Sequence, residues 1–134
     1  MTKDPSRMTN FLLVFVGGGV GSLARWGLAL ALAPYAQTYP NGTLAANLLS
    51  CVAVGVIVGL SGHAWWGSET AKLLLVTGFC GGFSTFSTLI REVYALVGGS
   101  GWSSALLYAA LSFVLGLVCL LVGLWLGKTV SGLG

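Results

Sequence analysis

Three observations predict an all-α integral membrane protein built from four spanning helices. Of the 134 residues, 56% are hydrophobic and only 7% are charged, and the mean hydropathy is +0.93. Apolar stretches fall at roughly residues 10–33, 42–62, 71–98 and 102–127, each at least the roughly 20 residues an α-helix needs to cross a bilayer. Short polar or turn-forming clusters separate them, so 1–134 reads as a single four-helix membrane domain with no room for a soluble one. A β-barrel would show short alternating segments instead of long apolar runs. The net charge of +3 comes from six Lys/Arg against three Asp/Glu, scattered singly, which leaves no footprint for nucleic acid.

The chain opens on a short polar segment through Arg7, and the apolar run after Met8 continues into a full span, so it reads as an anchor and not a cleaved leader. Met8 serves equally well as a start. The first span carries Gly17, Gly21 and Arg25 at four-residue spacing, a stripe that admits another helix at close range. A guanidinium two-thirds along a span must pair, snorkel or meet water, and Arg25 suits either a snorkelling anchor or a group near an ion path. Pro34 and then Pro40, Asn41 and Gly42 end the helix and turn the chain.

In the second span Thr43, Asn47, Cys51, Gly55 and Gly59 share one face. Gly55 and Gly59 mark close helix contact, while Asn47 suits interhelical glue or a polar pathway, since its amide both donates and accepts. Trp65 and Trp66 in the following loop fit the aromatic belt at a membrane surface, and His63 reads as a loop residue.

The third span contains the run GFCGGFSTFSTL at 78–89, an unusual composition for a plain spanning helix. Three glycines and the hydroxyls of Ser84, Thr85, Ser87 and Thr88 lower helix propensity and offer the backbone other partners, so a break at mid-span is expected. Broken backbone at bilayer depth must be buried in protein or line a wet cavity, and freed carbonyls there suit a cation. The same small residues also suit a helix-packing face. Arg91 and Glu92 read as an interfacial charge cluster, and residues 98–101 as a tight turn.

The fourth span aligns Ser104, Tyr108, Ser112 and Gly116 in a polar stripe on a Leu/Val helix, with Gly123 and Gly127 for close packing. Cys51, Cys80 and Cys119 stand alone in separate spans, and the chain has one His, so no metal-ligand spacing is present. No nucleophile motif, nucleotide-binding motif or mid-span carboxylate appears, which argues against an enzyme, an ATP-driven pump and a carboxylate proton relay.

Gly81, Gly82, Phe83, Ser84, Thr85, Phe86, Ser87 and Thr88, together with the GTLAAN run at 42–47 and the Gly-x-x-x-Arg of the first span, resemble the signature of the Fluc (CrcB) fluoride ion channels. The resemblance covers nearly the whole chain. It implies a passive fluoride channel in the bacterial inner membrane, built as an antiparallel, dual-topology homodimer with two pores and a central structural sodium ion. The sodium ligands it implies are the backbone carbonyls of Gly81 and Ser84 from each copy. The fluoride path it implies uses Asn47 with Thr43, Phe86, Tyr108 and Ser112, and the Ser87 and Thr88 hydroxyls of the signature, with Arg25 as a vestibule or structural charge. This chain departs from the family pattern at Leu89, where a second phenylalanine is common, and at Gly116, where a further serine is common. A small multidrug exporter would need a carboxylate in residues 10–33, which hold none. A membrane-embedded transferase would have only His63, Glu69, Arg91 and Glu92 for its chemistry, and a purely structural subunit leaves the hydroxyl stripe unexplained.

Both termini of a four-span chain share one side, with Lys3, Arg7, Lys72 and Lys128 there and Arg25 and Arg91 nearer the other. Four against two leans toward cytoplasmic termini. A start at Met8 removes Lys3 and Arg7 and leaves the balanced count that insertion in both orientations requires.

Overall fold

The computed structural model describes residues 5–36 and 39–132; Lys3, counted above among the charges, lies outside them. Four apolar helical spans run Ser6–Tyr35, Asn41–Leu60, Glu69–Gly99 and Trp102–Val130, within a few residues of the expected boundaries. Helix α1 (Pro5–Leu32) ends in a 3-10 turn at Ala33–Tyr35 that carries Pro34. Helix α2 (Asn41–Leu60) starts directly after Pro40, and at 20 residues reaches about 30 Å, one hydrocarbon thickness.

The third span is not one helix. A short turn α3 (Glu69–Ala71), capped by Ser68, leads into a π-helix over Lys72–Cys80 and then a turn α4 (Gly81–Phe83). Ser84 and Thr85 are extended, with φ/ψ of −83°/159° and −154°/117°. Helix α5 (Phe86–Gly99) restarts with Thr85 as its N-cap. The expected break is thus two residues wide and lies near the centre of the span. Gly98 and Gly99 belong to α5, so the turn expected over 98–101 shrinks to Ser100 and Gly101. There the N–H groups of both residues close on the Leu96 carbonyl, and Gly101 has φ +93°, a conformation that favours glycine. Helix α6 (Trp102–Val130) completes the chain.

Two helix pairs hold the chain together. The second and fourth spans pack most extensively, and the first packs on the N-terminal half of the third. In bilayer no hydrophobic force drives helices together, so close backbone approach must supply the attraction. Gly55 and Gly59 of α2 lie directly against the backbone of Leu120, Leu124 and Gly127 in α6, while Gly123 lies against Val52. Gly17, Gly18 and Gly21 make the equivalent seam with Gly78, Phe79, Gly82 and Phe83. The outer faces carry exposed Phe11, Phe15, Trp26, Phe113 and Trp125, as a lipid-facing surface should.

A side chain at Gly55 would drive α2 off α6, because its Cβ would meet the Leu120 carbonyl and the Leu124 backbone nitrogen. Gly55→Leu is expected to cost about 1–3 kcal/mol or more, read as a lowered thermal midpoint in detergent. Gly98→Ala, whose Cβ meets open space, should leave the midpoint unchanged or raise it.

Candidate functional site

The break is held by side chains that replace helical backbone partners. Asn47 grips Thr85 at both ends of its backbone: Asn47 Oδ1 accepts from the Thr85 N–H at 2.7 Å, and Asn47 Nδ2 donates to the Thr85 carbonyl at 3.2 Å. Thr85 Oγ1 in turn accepts the Thr88 N–H at 3.3 Å, the N-cap bond of α5. In a continuous helix the Thr85 N–H would close on the Gly81 carbonyl and the Thr88 N–H on the Ser84 carbonyl. Both donors are spent elsewhere.

Neighbouring carbonyls are treated in the opposite way. The Cys80 carbonyl accepts the Ser84 N–H at 3.0 Å, the Ser84 hydroxyl at 2.8 Å and the Ser50 hydroxyl at 3.1 Å. The Gly82 carbonyl accepts Arg25 Nε–H at 3.1 Å and the Ser22 hydroxyl at 3.5 Å. Arg25, expected either to snorkel or to stand near a path, binds the broken backbone from the first span. Its partly buried charge is thereby directed onto a carbonyl dipole.

A second polar centre lies toward one end of the helices. Glu92 accepts the Thr43 hydroxyl on Oε1 at 2.7 Å and the Tyr108 hydroxyl on Oε2 at 2.9 Å, which ties α2, α5 and α6 together. Tyr108 is 1% exposed and packs on Tyr39 with ring centroids 6.1 Å apart. Glu92 borders two clefts, one of about 410 Å³ with Tyr39, Leu96 and Ser100, and one of about 230 Å³ with Ala29, Thr43 and Gly42.

Further along α6, a cleft of about 240 Å³ is lined by Asn47, Ser84, Thr85, Phe86, Leu89 and Ser112, among others. Ser112 donates to the Tyr108 carbonyl at 2.8 Å, so a polar line follows α6 from Glu92 toward the break. Beyond Ser112 the groove passes Cys51 and Gly116 among leucines and a phenylalanine, and its polar lining ends there.

The candidate residues therefore sort into groups. Asn47, Phe86 and Ser112 share one cleft, with Leu89 as a further wall. Thr43 and Tyr108 meet at Glu92. Thr88 sits in the cap beside Thr85. Ser87 is exposed and lines neither cleft. Ser84 lies in the break, and Gly81 opens the short turn before it, on the exposed surface of the chain. Sequence reasoning missed Glu92 by grouping it with Arg91 in an interfacial charge cluster; Arg91 is exposed while Glu92 turns inward. The signal was present, since Thr88 and Glu92 stand four apart on the face that continues from the signature. Ser22 and Ser50 were missed as well, though each stands three residues from a residue that was singled out, Arg25 and Asn47.

Residues 12–124 match the family described as CrcB-like protein, Camphor Resistance (CrcB). The chain is 42% identical over 124 residues to a fluoride-specific ion channel FluC of Chlorobium phaeobacteroides (strain BS1), covering 92% of this chain and 97% of that protein. It is 36% identical over 126 residues to FluC of Chloroflexus aurantiacus (strain ATCC 29366 / DSM 635 / J-10-fl), covering 93% and 100%. Against FluC of Escherichia fergusonii the identity is 46% over 99 residues, covering 69% and 74%. With the family match spanning most of the chain and identities at this level over nearly its full length, the chain belongs to the CrcB (FluC) family.

Proposed function

We propose that this protein is a passive fluoride-selective channel of the cell membrane, working as an antiparallel homodimer of dual topology with two pores and a structural sodium ion. The observation that carries the reading is the line of neutral polar groups from Tyr108 and Ser112 on α6 to Asn47 on α2, ending at a broken span. Fluoride is small and tightly hydrated. A path must replace its water with hydroxyl and amide donors, and with the positive edge of a phenyl ring such as Phe86, while binding weakly enough to release the ion. The Thr43 and Tyr108 hydroxyls are committed to Glu92. An entering fluoride would therefore compete with that carboxylate for the same two hydroxyl donors. Such a channel would discharge fluoride from the cytoplasm down its own gradient.

The backbone pattern supports sodium at the break. Gly81 and Ser84 are the carbonyls whose helical donors are diverted, while the Ser84 hydroxyl donates its proton to the Cys80 carbonyl. Lipid satisfies no carbonyl, so these groups need a cover that supplies hydrogen-bond donors or a cation. A second, inverted copy would bring four such carbonyls to one cation, and would also cover Phe86, which is 74% exposed in the protomer.

Three outcomes are expected. Asn47→Asp, which removes the amide donors and adds an anionic group, should lower fluoride efflux from proteoliposomes by roughly a hundredfold or more; normal flux from folded protein would contradict the path. Ser84→Ala should retain sodium, and its loss with an unchanged backbone would make the hydroxyl a ligand. A cysteine introduced at a terminus, in a background lacking Cys51, Cys80 and Cys119, should be labelled from both membrane faces. Labelling from one face alone would rule out the inverted dimer.

A further inference from the structure

We propose that Asn47 and Thr85 are positioning residues for the cation: by holding the Thr85 and Thr88 N–H groups, they keep the Gly81 and Ser84 carbonyls open to it. This inference rests on the sodium reading above. Each of the two carbonyls has one natural competitor for its lone pairs, the N–H four residues later. Asn47 Oδ1 removes the first competitor at 2.7 Å and Thr85 Oγ1 removes the second at 3.3 Å. The selection is sharpened by the neighbours. Between them, the Cys80 carbonyl takes three donors and the Gly82 carbonyl takes two, which withdraws both from ion binding.

The arrangement gives Asn47 two separable duties. Its position in the cleft with Phe86 and Ser112 serves the fluoride path, whereas its Oδ1 serves the cation site through Thr85. Replacing the whole amide by an apolar group of similar shape removes both. Replacing it by a carboxyl removes the amide donors, yet in either protonation state an oxygen still accepts the Thr85 N–H. Sodium retention and fluoride flux should therefore part company in one variant and fall together in another.

The test uses the full-length protein purified in detergent, dialysed into N-methylglucamine, and titrated with sodium chloride at constant ionic strength while its thermal midpoint is followed. The wild type should show a saturable rise with sodium. Asn47→Leu and Thr85→Val should each raise the half-saturating sodium concentration by about tenfold or more, because a carbonyl regains a backbone donor in every copy. Asn47→Asp and Thr85→Ser should stay within about threefold of wild type, although the first loses fluoride flux. If Asn47→Leu does not fold, the Thr85 pair decides in the same way. A folded Asn47→Leu or Thr85→Val with wild-type sodium dependence overturns the proposal. So does failure of both to fold in molar sodium while their conservative partners fold, since the groups would then serve folding alone. A wild type indifferent to sodium would overturn the cation reading itself and leave the fluoride path to the flux assay.

Discussion

The pairing of Asn47 with the backbone of Thr85 is the interaction on which the rest depends. A chain that leaves the helix at bilayer depth exposes peptide groups that lipid cannot satisfy. At Thr85 both groups are met by one side chain, which imitates the paired donor and acceptor of a neighbouring strand. This allows α5 to restart with its own N-cap instead of continuing the turn before it. Without such a partner, the cheapest repair for the third span would be to close its own helical bonds, and the break would heal.

The surrounding packing serves to put that amide in place. Asn47 lies on the face of α2 that also carries Gly55 and Gly59, and those glycines let α2 seat against α6 with backbones in contact. The first span approaches the other side of the break through Gly18 and Gly82, close enough for Ser22 and Arg25 to reach the Gly82 carbonyl. Small residues thus do more than permit association. They set the distance at which short polar side chains can substitute for helical hydrogen bonds, and so turn a weak stretch of helix into a defined one.

Much of this was legible in the chain. Glycine and hydroxyl content locates the break, and four-residue spacing shows which faces turn inward, because both follow from local propensity and helical period. The spacing makes Asn47 glue or pathway, and its amide does bind across helices while also lining the cleft. What the spacing does not carry is the partner of each polar group. Glu92 beside Arg91 reads as part of an interfacial charge cluster, yet the 100° between neighbours on a helix sends one outward and the other to Thr43 and Tyr108. Likewise, the π-helix over Lys72–Cys80 has no glycine until Gly78 and no proline. Its wider turn lies where Gly17 of the first span packs against the backbone of Leu74, Gly78 and Phe79.

The central claim is that the break keeps two particular carbonyls free by diverting their natural donors. An experimental density map of the protein prepared in sodium tests it most directly. The account predicts a cation peak bound by the carbonyl oxygens of Gly81 and Ser84 and by no side-chain oxygen, with the Thr85 N–H on Asn47 and the Thr88 N–H on Thr85. A map in which those N–H groups return to the Gly81 and Ser84 carbonyls, with no peak beside them, would contradict it.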